Sequence, residues 1–300
     1  MISVLMTVYK EKFDWVKKAI NSILSDLELD DEIILIVDNP EYDSQPLLNL
    51  LSEKDSRLKI YVNEVNIGLP MSLNKAFKKS KGQYIARMDA DDVSLPGRFK
   101  ESLNELLKGS DLVTTNILMM DENEKTIDAS YIAPLNSNIL KTLKYQNIFW
   151  HPTWLARREV FTKNDSYRNI KAAEDYDFLV RAVLNDFKLT VINKIYLKKR
   201  YSNTAISESS AFDQYHNAEL IREQIKKKKV LSINKFNNNF PEKRKNQFQK
   251  SYLSFKEKKK IKKIFILAVS LKNRGGRDFL KNYSLNKKVY RFLKKRNSRK

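Results

Sequence analysis

The 300-residue sequence contains no cysteine, which excludes both a disulfide framework and a thiolate metal site and suits a reducing compartment. It also lacks a long apolar run. The best stretch, 264–269, is far short of the ~20 residues that a spanning helix needs, so the chain is expected not to cross a membrane. The opening segment, Ile2–Val8, has no basic residues before it and gives way to Tyr9-Lys10-Glu11-Lys12, so it reads as a first strand rather than a secretory leader. No internal repeat is present. A glycine- and basic-rich phosphate loop is missing after that strand, where Thr7-Val8-Tyr9-Lys10-Glu11 stands, and this argues against a nucleotidyltransferase.

What is present is enough apolar residue, 42%, for a full core, and a charge of +21 that is unevenly placed. Residues 222–300 hold 28 Lys and Arg against 4 Asp and Glu, a net +24, whereas residues 1–221 hold 29 against 32, a net −3. A mildly acidic body thus carries a strongly basic C-terminal region, and the sequence is divided accordingly at 221/222.

Along the body, short β-rich runs at Ile2–Val8, Glu32–Val37, Leu58–Val62 and 83–88 alternate with helical patterns. Phe13, Val16, Ile20, Ile23, Leu24 and Leu27 recur at helical spacing, Leu47, Leu48, Leu50 and Leu51 do so more briefly, and 71–79 fills the third interval. The pattern predicts an α/β fold: a Rossmann-like, mostly parallel central sheet flanked by helices. Further expectations are a helix over 95–107, a strand over 111–119 and a hairpin or loop over 121–133. A helix over 174–185, extended segments at 189–192 and 195–199, and a helix over 211–229 follow. A break at 234–241 then leads into lysine-rich helices to the end.

Asp89-Ala90-Asp91-Asp92 directly follows the fourth strand, at the carboxyl edge where open α/β sheets bind ligands. Carboxylates so crowded repel one another, which favours solvent exposure or a cation, and Mg²⁺ or Mn²⁺ commonly bind through few carboxylates plus substrate phosphates. An acidic helix N-terminus is the competing reading, with Asp91 or Asp92 as a cap.

The accompanying pattern resembles family 2 of the inverting glycosyltransferases, of GT-A type, in order over roughly residues 1–207. Ser3-Val4-Leu5-Met6-Thr7-Val8-Tyr9 resembles that family's opening strand, and Glu32-Ile33-Ile34-Leu35-Ile36-Val37-Asp38 its second. Asn66-Ile67-Gly68-Leu69 with Leu73-Asn74-Lys75-Ala76 is similar to its third signature, and Gly82 through Asp92 with Pro96 and Arg98-Phe99 to its metal block. His151-Pro152-Thr153 and Ala173-Glu174-Asp175-Tyr176-Asp177-Phe178 complete the set.

The resemblance implies transfer of a hexosyl or N-acetylhexosaminyl group from a nucleotide sugar, UDP-linked, to a hydroxyl of a bacterial surface glycan, such as a capsule, or of a lipid-linked oligosaccharide. It implies a divalent cofactor, Mn²⁺ or Mg²⁺, held by Asp91 with Asp89. Donor contacts would come from Thr7, Val8, Tyr9, Asp38, Asn66, Gly68, Asp89, Ala90 and Arg200, and the acceptor would meet Glu174, His151 and Trp150. Asp175 would be the general base, ionised at a helix N-terminus. Residues 1–120 would form the nucleotide-sugar half of a catalytic domain and 121–221 the acceptor half.

Each assignment has a plainer competitor. Asp38 can make an Asx turn with Asn39-Pro40, Tyr9 and Trp150 can simply pack, Glu174 and Asp175 can be dipole-favoured helix starters, His151 can be a hydrogen-bonded structural residue, and Arg200 a surface arginine. The family's second aspartate and its late histidine are replaced here by Asn39 and Ser202.

In the basic region, Lys226-Lys227-Lys228-Lys229, Lys258-Lys259-Lys260 and Lys262-Lys263 accompany Ile261, Ile264, Phe265, Leu267, Ala268 and Leu271. That is a basic helix with an apolar stripe, suited to an anionic bilayer and hence to a cytoplasmic protein lying on the inner face of the cell membrane. The competing reading packs it on the catalytic domain. No zinc-finger, RRM or KH signature accompanies the charge, so no specific nucleic acid is expected, although a membrane- or nucleic-acid-binding protein with a degenerate sugar-nucleotide site stands as the non-enzymatic alternative.

Overall fold

In a computed structural model, the protein is described over residues 1–52, 55–130, 139–144, 147, 149–201, 211–236 and 241–256. The expected stripe at 261–271, the lysines at 258–263 and Ser202 lie outside the described residues.

Strands β1 (Ile2–Val8), β2 (Glu32–Val37), β3 (Leu58–Val62) and β4 (Tyr84–Arg87) are linked by helices α1 (Phe13–Leu24), α2 (Gln45–Ser52) and α3 (Leu69–Lys79). Strands β5 (Val93–Ser94), β6 (Leu112–Met120), β7 (Thr126–Ser130), β8 (Leu155–Arg157) and β9 (Leu189–Arg200) follow. Helices α4 (Arg98–Leu107), α5 (Ile139–Leu143), α6 (Arg158–Lys163), α7 (Glu174–Leu184), α8 (Ala211–Lys227) and α9 (Glu242–Lys256) accompany them. The sheet order is β3-β2-β1-β4-β8-β6-β9-β5, with β7 on β6. Strands β1 to β4 pair in parallel, as do β6 and β9, while β5, β7 and β8 run antiparallel to their neighbours. The fold is therefore the expected α/β sheet between helical layers, parallel through β1 to β4 as predicted but mixed rather than mostly parallel beyond them, where β8, β7 and β5 run antiparallel to their neighbours.

The central strands are apolar on both faces because both are covered: every residue of β2 is buried. Helix α1 buries Val16, Ala19, Ile20 and Ile23, the stripe that its spacing predicts. Each large apolar side chain so buried contributes about 1.5–3 kcal/mol. Gly82 marks a close approach between the start of β4 and that of β1, since a Cβ there would lie 2.6 Å from the Ser3 nitrogen. Its own N–H donates to Ser3 Oγ at 2.7 Å.

Three expectations change. β9 is one strand, not two extended pieces, because its register against β6 shifts around Asn116 and absorbs the polar interruption at Asn193 and Lys194. Helix α4 starts at Arg98 rather than at Pro96, after Gly97 turns the chain at φ +82°. The division at 221/222 falls inside α8. Ile221 and Ile225, on either side of it, are buried in the same core as Leu5, as are Leu231 and Phe236, while Lys226 to Lys229 face solvent. The change in the sign of charge is therefore not a packing boundary: the apolar core continues through it to Phe236.

Candidate functional site

Strand β1 lies between β2, to which α1 carries the chain on one side, and β4, to which α3 returns it from β3 on the other, so the strand order reverses there and the crevice of an open α/β sheet lies at the carboxyl ends of these strands. Thr7 and Val8 pair with Ile36 and Val37, and the next residue, Tyr9, forms the rim. Its carbonyl accepts from Asn39 Nδ2 at 2.9 Å, and its N–H donates to Glu11 Oε2 at 2.6 Å. Asp38 is buried, and its Oδ1 accepts from Asn63 Nδ2 at 2.7 Å and from the Ile67 N–H at 2.9 Å. The Asx turn belongs to Asn39, whose Oδ1 accepts from the Glu41 N–H at 3.1 Å. Asp38 instead ties the ends of β2 and β3 to the turn before α3. Asn66 and Gly68 build that turn: Asn66 Oδ1 accepts from the Gly68 N–H at 3.0 Å, and Gly68 sits at φ +83°.

The acidic turn leaves β4 beside this crevice. Asp89, Asp91 and Asp92 each offer an oxygen within 4.8 Å of the others, a spacing suited to one cation. Their surroundings differ sharply. Asp89 is paired with Arg87 and lies 2.9 Å from Lys199 Nζ. Burial raises its affinity for a proton, but the two cations outweigh burial and hold its carboxyl well below the usual range. Asp92 is fully buried, accepts the Arg200 N–H at 2.8 Å, and is pushed up to about 8 by burial and by its acidic neighbours despite Lys199. Asp91 has no ion pair among the described residues, and burial together with Asp89 pushes it up to about 6. The residues fit a divalent cation: Asp91 is the uncommitted hard-oxygen ligand, and a cation there would relieve the repulsion that raises it. The cap reading fails, because α4 begins six residues after Asp92, without a side-chain cap.

A second pair of carboxylates stands at the start of α7. Ala172, in the left-handed region at φ +57°, turns the chain so that Glu174 and Asp175 open the helix. The Asp175 oxygens accept from Asn147 Nδ2 at 2.8 Å and from the Tyr176 N–H at 2.7 Å. Burial raises Asp175, and burial reinforced by Asp175 pushes Glu174 up to about 8. The expectation of a dipole-stabilised, ionised pair is corrected at Glu174, where desolvation outweighs the dipole; at Asp175 burial raises the proton affinity in the same direction. Arg87 acts electrostatically on both carboxylates and Asp89 acts on Glu174, so the two acidic sites share one field.

His151 is buried, with Nε2 2.7 Å from the Tyr167 hydroxyl and its ring edge-on to Trp154 at 4.5 Å. Burial, with Arg87 nearby, drives its pKa well down, so the ring is neutral. This is the hydrogen-bonded structural role. Trp150 is half-buried and packs against both hydrophobic clusters, yet its indole N–H has no hydrogen-bond partner among the described residues.

The sequence profile described as Glycosyl transferase family 2 matches residues 3–164. The chain belongs to that family. It is 34% identical over 241 residues to the O-antigen biosynthesis glycosyltransferase WbnJ of Escherichia coli, covering 78% of this chain and 92% of WbnJ. It is 26% identical over 230 residues to the E. coli UDP-Gal:alpha-D-GlcNAc-diphosphoundecaprenol beta-1,3-galactosyltransferase, covering 71% and 82%. Among solved structures, S. aureus TarS 1–349 in complex with UDP-GlcNAc superimposes with a TM-score of 0.61 at 21% identity, covering 94% of this chain and 79% of that one. The likeness to TarS is one of fold, and the fold is GT-A.

Within this glycosyltransferase, Arg200 is placed differently from its expected position at donor phosphates. Its guanidinium is fully buried and donates to the carbonyls of Asp91 at 2.9 Å and Glu122 at 3.0 Å and to Glu124 Oε1 at 3.1 Å, over the Trp15 ring at 4.6 Å. It braces the acidic turn against the β6–β7 turn. Sequence reasoning overlooked three residues that the fold brings to the site: Asn63, Arg87 and Lys199. Arg87 and Lys199 were legible only as strand lysines and arginines, and strand pairing decides which of those face inward.

Proposed function

We propose that this family 2 enzyme transfers a sugar from a UDP-linked donor to a hydroxyl of a bacterial surface polysaccharide or its lipid-linked precursor, with inversion. The observation that carries this reading is the presence of two carboxylate sites, Asp89-Asp91-Asp92 clustered at the sheet edge and Glu174-Asp175 opening α7, both acted on by the charge of Arg87. The first suits a nucleotide diphosphate and the second an acceptor hydroxyl. The O-antigen name of one relative and the diphosphoundecaprenol acceptor named for another support the polysaccharide context, and the UDP-GlcNAc bound to TarS supports the donor class.

Asp38 receives the base of the nucleotide, and Tyr9 with Thr7 lines the same pocket. Asp91, with Asp89, would hold the divalent cation. When bound, that cation neutralises the charge developing on the departing nucleoside diphosphate. Asp175 accepts the acceptor's hydroxyl proton as the oxygen bonds to the anomeric carbon and the carbon–oxygen bond to the diphosphate breaks. Its Asn147 and Tyr176 hydrogen bonds fix its orientation, and burial strengthens it as a base. Glu174 positions Asp175 and the acceptor. The basic segment 222–300 attracts the protein to an anionic membrane surface, which cosedimentation with phosphatidylglycerol vesicles tests.

The test is Asp175→Asn and Asp91→Asn in a donor and acceptor screen with Mn²⁺ or Mg²⁺. Asp175→Asn is expected to lower kcat by at least ~100-fold while leaving UDP binding intact, and Asp91→Asn to weaken metal-dependent UDP binding itself. Undiminished transfer by both folded variants overturns the reading.

A further inference from the structure

The acidic turn already holds a cation of the protein's own. Lys199 enters from β9, and its Nζ stands 2.9 Å from Asp89 Oδ2 and 3.6 Å from Asp92 Oδ2. The register that puts it there is fixed at two points: Lys199 pairs with Met119 across β6, and the next residue donates its N–H to Asp92 Oδ1 at 2.8 Å. Arg87 takes the other oxygen of Asp89, so Asp89 is neutralised from both sides. A divalent ion shared by Asp91 and Asp89 would stand within a few ångströms of this ammonium. Like charges at that separation, screened little by water in a half-buried site, repel strongly.

A nucleotide diphosphate changes the balance. It brings negative charge to the same place, and the lysine ammonium, on a flexible four-carbon stem, can exchange a carboxylate oxygen for a phosphate oxygen by a small rotation. We propose that Lys199 makes metal binding conditional on the nucleotide: alone, it occupies the carboxylates and keeps divalent cations weakly bound, and with the diphosphate present it pairs with phosphate and releases Asp89 to the metal. The proposal rests on the donor reading above. By linkage, the same coupling makes UDP bind tightly only when metal is present.

The experiment measures Mn²⁺ affinity by the electron paramagnetic resonance signal of the free ion, with and without UDP and without turnover. It uses the full chain as wild type, Lys199→Gln, Lys199→Met and Asp91→Asn, each checked for native circular dichroism. Wild type is expected to bind Mn²⁺ weakly alone and at least ~10-fold more tightly with UDP. Both neutral variants should bind Mn²⁺ alone on the order of tenfold more tightly than wild type, with the gain from UDP correspondingly reduced. Two neutral side chains of different shape separate loss of charge from loss of packing. Equal affinity for Mn²⁺ alone in wild type and both Lys199 variants, with UDP coupling and its loss in Asp91→Asn intact, overturns this proposal and leaves the donor reading standing. Absence of any coupling between Mn²⁺ and UDP in every form overturns both.

Discussion

Replacing Arg200 by methionine separates a bracing arginine from a phosphate-binding one. In the structure the guanidinium is spent within the protein, and its removal strands two part-buried carbonyls, those of Asp91 and Glu122. Each loss costs about 1–2 kcal/mol. The stacking on Trp15 contributes roughly a further 1 kcal/mol, and the bond to Glu124, whose side chain is one-third exposed, contributes little. Methionine keeps the stem's packing, so a destabilisation of about 3 kcal/mol is expected, a fall in Tm of roughly 6–12 °C. Urea unfolding followed by tryptophan fluorescence measures it, alongside calorimetric titration of UDP with Mn²⁺. Weaker UDP binding would accompany the loss of stability, because the Asp91 backbone is released. A variant as stable as wild type that binds UDP poorly would refute the argument and return Arg200 to the donor.

Glu174→Gln tests the effect of burial on the α7 carboxylates. The folded protein holds the Glu174 proton up to about 8, far above the 4.5 of the unfolded chain, so the stabilising effect is complete below 4.5 and is lost as pH rises to about 8. Glutamine has no such loss, and urea midpoints should show it matching wild type near pH 4.5 and exceeding it at pH 8.5. Gly82→Ala should cost about 2–3 kcal/mol in the same assay, because its Cβ would meet not only the Ser3 hydroxyl but also unyielding backbone, the Ser3 nitrogen at 2.6 Å and the Ile2 carbonyl carbon at 2.9 Å. Asp177→Asn, which leaves Arg168 and Arg181 facing each other in the core without their shared carboxylate, should cost about 3–5 kcal/mol. Undiminished stability in either variant would contradict the packing described.

The parallel half of the sheet was legible because β1, β2 and β3 are apolar runs separated by helices of regular spacing. Strand β8 was not. Its three residues carry no period, and only pairing with β4 and β6 from opposite sides makes Leu155–Arg157 a strand. The site divides in the same way. Asp38, Asp91 and Asp175 follow strand ends or open a helix, where sequence position alone indicates a functional edge. Lys199 is one of two adjacent lysines in β9, and register rather than residue type turns it towards the aspartates. Proton affinities were equally hidden: the helix dipole at Glu174 and Asp175 can be read from the sequence, but the burial that overrides it requires the folded surroundings.

Helix α8 joins the basic region to the body through more than apolar contact. Gln224 donates to Asp177 at 3.1 Å and accepts the Leu231 N–H at 2.9 Å, Arg168 donates to the Leu231 carbonyl at 2.6 Å, and Phe248 stacks on Tyr215. The helix whose first turn carries Glu174 and Asp175 is therefore bolted to the segment where the lysines begin. Chimeras that exchange tails between relatives should be spliced beyond residue 256, since a junction at the charge boundary would unpack Asp177 and report on folding instead of targeting.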